Sequence, residues 1–162
     1  MKTSSLILSG LFCLIAAQSA MAQSRSEKKV QTERAVKEAI VAKQYKISVN
    51  YMQPMRGGSR ALTSDYSLEV KNDSVFSYLP YFGVGYNIPY GGGKGLVFKA
   101  PINEYETEFQ KKGKTKIFFK TANEEDKYEY CLTIYPSGST SIHVQPTNRQ
   151  AISFSGDIDI KK

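Results

Sequence analysis

Tryptophan is absent from the 162 residues, histidine occurs once and cysteine twice. With His143 as the sole histidine, a multi-histidine zinc site is excluded, and any imidazole acid–base chemistry falls to that one residue. Cys13 lies in an apolar N-terminal stretch, which leaves Cys131 without an internal disulfide partner once that stretch is removed. Alternation in Tyr128-Glu129-Tyr130-Cys131-Leu132 places Cys131 on a strand, as a small packed side chain before a reactive thiol. Nucleotide loops are missing as well. Gly93-Lys94 has Ile88 and Gly95 where a phosphate loop needs Gly and Ser or Thr, and Gly83-Val84-Gly85 lacks both its third glycine and a following helix. No Gly-x-Ser-x-Gly elbow occurs. No cofactor and no metal are therefore expected.

What is present begins with a leader. Lys2, the apolar core Leu6 to Ala17 and the small-x-small pattern Ala20-Met21-Ala22 are the three parts of a secretory signal peptide, with cleavage expected after Ala22. The apolar core is shorter than the roughly 20 residues of a membrane-spanning helix, and no other stretch approaches that length, so no transmembrane segment is expected. Bulky Phe12 directly before Cys13 argues against lipoprotein processing. A periplasmic or secreted location follows, with residues 23–162 forming a single domain able to bury about two thirds of its unfolded surface.

The formal net charge is +7, and its cations are dispersed. Lys111-Lys112-Gly113-Lys114 and the terminal Lys161-Lys162 are short clusters, and neither has the interleaved aromatics of a nucleic-acid platform. They read as a solvated turn and tail, and no nucleic-acid partner is expected.

Ser24-Arg25-Ser26-Glu27 matches a capping box, with Val36, Ala39 and Ile40 at helical spacing, which predicts a helix over about 26–43 with a burying face only in its second half. From Tyr45 the period changes to two. Ile47, Val49 and Tyr51 alternate with polar residues before Gln53 to Ser59 breaks the pattern. Further strands are expected around Tyr66 to Val70 and at 74–79, 96–100, 104–110, 115–121, 127–135, 139–145 and 151–160, with Asn72-Asp73 as a tight turn. Gly156 interrupts the apolar face of the last strand and marks a bulge, a bend or a close approach by a neighbour. The fold class is α+β, an N-terminal helix packed on a curved antiparallel meander that forms a sandwich or partial barrel.

Residues 78–95 hold five aromatics, six of the twelve glycines and two prolines. Tyr78, Leu79 and Phe82 are expected to close an open end of the sheet. Tyr81, Tyr86 and Tyr90, backed by Lys94, would then present stacking faces and hydroxyls to an envelope glycan, peptide or protein partner. The alternative is a hydrolase of envelope glycans or peptides. Asp157 and Asp159, like Glu104, Glu106 and Glu108, sit two apart on a strand at roughly 7 Å, the span of a general acid–base pair, although a solvated strand face carries the same pattern. His143 should point outward between Ser141 and Gln145.

Ser77-Tyr78-Leu79-Pro80-Tyr81-Phe82-Gly83 with Tyr86 downstream, Gly95-Leu96-Val97-Phe98, and Asn148-Arg149-Gln150-Ala151-Ile152-Ser153-Phe154-Ser155-Gly156 together resemble the domain of unknown function 4251 family. These are small exported proteins of Bacteroidota-type bacteria. The resemblance covers most of the processed chain and implies an exported or envelope location and one domain. It transfers no catalytic role.

Overall fold

The computed structural model describes residues 27–87 and 93–160. The signal peptide and most of the capping box lie outside them. Helix α1 occupies residues 27–41 and ends where Lys43 takes a left-handed φ of 50°. Val36 and Ile40 are buried while Val30 and Val41 face solvent, so the second half of the helix carries the contact, as its periodicity requires. Arg34 pairs with Glu38 one turn on, at 2.8 Å.

Eight strands follow: β1 (Gln44–Pro54), β2 (Arg60–Lys71), β3 (Ser74–Leu79), β4 (Leu96–Phe109), β5 (Thr115–Ala122), β6 (Lys127–Ile134), β7 (Ser139–Pro146) and β8 (Ile152–Ile158). Each pairs antiparallel with the next, and β8 returns to β1 from Ile47↔Ile158 to Pro54↔Ile152. The α+β class holds, with a helix on an antiparallel sheet; the partial barrel that the sequence predicts is closed fully by the β1–β8 pairing, and the sandwich alternative is excluded. Alternation reports which side chains turn inward but not which strands meet, and the closing pair joins segments about a hundred residues apart in the chain.

The meander differs from its sequence reading at β4. One bent strand replaces two, because residues 96–101 pair with β3 while 102–109 pair with β5, and a register shift between Ile102 and Glu104 makes the bend. Pro101 stands at the changeover, where its carbonyl accepts the Thr121 hydroxyl at 2.7 Å. Gly156 resolves as a close approach. It is buried opposite Val49, and a Cβ there would overlap the Ser48 carbonyl of β1.

Inward residues are mostly apolar or aromatic, with a few buried Ser and Thr, and the outward rows carry mainly Lys, Glu, Ser and Asp, the reverse of the alternation in a membrane-spanning barrel. Rings fill the interior. Phe119 stacks on Tyr130 at 4.7 Å and Phe98 on Tyr128 at 4.6 Å. The Tyr130 hydroxyl donates to Ser77 Oγ, which donates to the Leu96 carbonyl at 2.7 Å, so this buried polar pair is satisfied. α1 covers the barrel end where Tyr45 and Tyr105 share a hydroxyl contact of 3.1 Å. The opposite end is formed by the loop after β3 and by the turns 123–126 and 147–151.

Candidate functional site: the loop end of the barrel

Three connections converge at the end remote from α1. After Leu79 the chain leaves the sheet, and Val84 to Tyr86 run beside the β7–β8 turn: Gln150 N–H donates to Val84 O (3.0 Å), Tyr86 N–H to Asn148 O (2.8 Å), and Gly85 bridges Arg149. Gln150 Oε1 accepts from Val84 N–H at 3.3 Å. The Tyr81 hydroxyl reaches Gln150 O at 3.0 Å and Val84 O at 3.2 Å. A Cβ at Gly83 would press on the Tyr81 hydroxyl that makes these contacts. The two blocks Leu-Pro-Tyr-Phe-Gly and Asn-Arg-Gln, about seventy residues apart in sequence, are therefore one structural unit.

Beneath it lies a buried ion pair. Arg149, 4 % exposed, donates to Glu125 Oε2 at 2.9 Å, and its guanidinium sits 5.4 Å from the centre of the Tyr81 ring. Glu125 Oε1 accepts the Lys94 N–H at 2.9 Å, so one carboxylate ties the long loop to the arginine. Asp126, also buried, accepts from the N–H groups of Lys127, Thr147 and Asn148 at 2.8 to 3.1 Å. Asn123 Oδ1 caps the N–H groups of Glu125 and Asp126 in an Asx turn. Burial raises the Tyr81 hydroxyl above its usual pKa, against the lowering effects of the Gln150 carbonyl contact and the nearby arginine.

The placement of the sequence candidates is uneven. Tyr81 faces inward, half-buried, with its hydroxyl committed to backbone carbonyls, so it anchors the loop where an outward ring was expected. Tyr86 is 69 % exposed and stands on the clamped segment. Lys94 has an exposed side chain and a tethered backbone, and Tyr90 lies outside the described residues. Of the residues expected to close the sheet, Leu79 is buried, but Tyr78 lies exposed on the outer wall and Phe82 stays 47 % exposed under the Arg60 guanidinium at 4.1 Å. Arg149, Glu125 and Asp126 were not singled out from sequence as site residues. Only the Asn-Arg-Gln block hinted at them, since their partners lie on other turns.

The remaining chemical candidates lie on the barrel wall. His143 points outward as expected, its Nδ1 3.0 Å from Ser153 Oγ and its backbone paired with Cys131. Cys131 is partly exposed on the same wall, and burial pushes its thiol up, away from thiolate character. Asp159 accepts from Ser48 at 3.0 Å and Asp157 from Asn50 at 3.4 Å, both exposed, and Glu104 pairs with Lys120 at 2.8 Å. Among the described residues no group of three or more His, Cys, Asp or Glu side chains could hold a metal ion.

The model of the domain of unknown function DUF4251 matches residues 27–158, which spans the helix and the whole barrel. The chain belongs to the DUF4251 family. A crystal structure of a DUF4251 family protein from Bacteroides eggerthii DSM 20697 superposes with a TM-score of 0.61 at 17 % identity, over 78 % of this chain and 86 % of that one, and shows that the two share a fold. No curated protein matches the chain. In this DUF4251 protein two of the three sequence blocks that carry the family resemblance meet at the loop end.

Proposed function

We propose that this DUF4251 protein is an exported, non-catalytic binding module whose Tyr/Gly loop is its contact surface. The observation that carries the reading is Tyr86, an open ring on a segment hydrogen-bonded to the 147–151 turn. Val84, 50 % exposed, and Phe82 continue the apolar surface, and Lys94 adds a cation at its edge. A ring held by backbone pairing loses little conformational freedom on binding, which favours recognition. The buried Arg149–Glu125 pair supports the platform from within.

A hydrolase would need a carboxylate pair in a cleft, whereas Asp157 and Asp159 are exposed and already hydrogen-bonded to wall side chains. The test is capture of envelope glycan and peptide fractions by immobilised protein. Tyr86→Ala, which leaves the clamp intact, should weaken capture by at least about tenfold, the scale of an aromatic anchor, with an unchanged melting curve. Equal capture by the variant, or turnover of the fractions that depends on Asp157 or Asp159, would refute the reading.

A further inference from the structure

Among the exposed apolar side chains of the described residues, Tyr78 and Val97 stand opposite each other on the neighbouring strands β3 and β4. On the outer wall of β1 to β4, two cross-strand rows can be read from the register: Lys46, Glu69, Phe76, Lys99 and, beside it, Ser48, Ser67, Tyr78, Val97. Lys99 lies over the Phe76 ring at 4.8 Å and Lys71 at 5.6 Å, while Tyr78 contacts Tyr66 at 5.4 Å. Around Phe76 three lysines face one glutamate, Glu69, which pairs with Lys71 at 2.8 Å. The wall of β4 to β6 carries more acid than base, with Glu104, Glu106, Glu108 and Glu129 set against Lys116, Lys120 and Lys127. Basic residues and rings are thus brought together across strands.

We propose that this β1–β4 wall docks the protein on an anionic lipid surface, a role beyond ligand capture by the loop. Two features favour lipid headgroups over a stacking ligand. The Phe76 ring already lies under ammonium groups, which leaves little of its face open to a base or sugar, while ammonium groups snorkelling beside half-exposed rings suit the boundary between phosphates and acyl chains. The acidic wall would then face away from the surface and set one orientation.

The experiment is flotation of protein recovered with its own leader processing, using phosphatidylcholine vesicles with or without about 30 mol % phosphatidylglycerol. Binding is expected only with the anionic lipid, falling roughly thirtyfold in the Lys71→Gln/Lys99→Gln variant and measurably in Tyr78→Ser. Tyr86→Ala should bind vesicles as the wild type does, which separates this surface from the loop. Thermal melts establish that the variants, all at exposed positions, remain folded. Three results would overturn the proposal: no preference for anionic vesicles, binding undiminished in the double lysine variant, or equal affinity for dextran sulfate that Tyr78→Ser leaves unchanged, which would mark a surface for soluble acidic polymers.

Discussion

At the residue scale, the structure depends on a few side chains whose partners are distant in sequence. Arg149→Met would leave Glu125 mostly buried without its guanidinium, and a loss of about 3 kcal/mol in urea unfolding is expected. Gly156→Ala drives a methyl into the β1 backbone and should cost about 2–3 kcal/mol by the same measurement. Buried tyrosines give the protein an alkaline limit. Burial raises Tyr130 and Tyr45 far above the ordinary value of about 10. The unfolded chain releases these protons first. Their contribution is therefore complete below pH about 10 and is lost as pH climbs toward the folded values. Unfolding midpoints followed from pH 8 upward should fall beyond pH about 10, less steeply in Tyr130→Phe.

At the element scale, nearly every strand and the half-buried helix were legible, because an inside-apolar barrel writes its period of two into each strand. Ile152, Phe154 and Ile158 show this most clearly. Two features were not legible. The β1–β8 seam depends on a pairing that no local pattern encodes, and the bend in β4 depends on a change of partner at Pro101 that reads in sequence as a gap between strands. The loop end was half legible. Ring and glycine content marked 78–95, but the inward turn of Tyr81 follows from two carbonyls, one of them on the β7–β8 turn. The Arg149–Glu125 pair crosses between turns, so neither residue stood out from an ordinary surface charge. Tyr81→Phe should cost about 1 kcal/mol and speed amide exchange in both 83–86 and 148–150, because one hydroxyl links the two segments.

For the whole molecule, a barrel filled by stacked rings leaves recognition to its ends and walls. α1 covers one end, the clamped loop shapes the other, and the walls differ in charge. If the leader is cleaved after Ala20-Met21-Ala22 as its sequence predicts, N-terminal sequencing of protein recovered from the cell envelope or medium should begin at Gln23. The proposal that the loop end is the recognition surface is tested by amide NMR of the labelled protein titrated with soluble envelope glycan and peptide fractions. It predicts saturable shifts concentrated at 82–87, 93–95 and 147–150, abolished by Tyr86→Ala. Shifts centred instead on His143, Cys131 and Glu106 of the β4–β7 wall, with the loop amides unmoved, would contradict it.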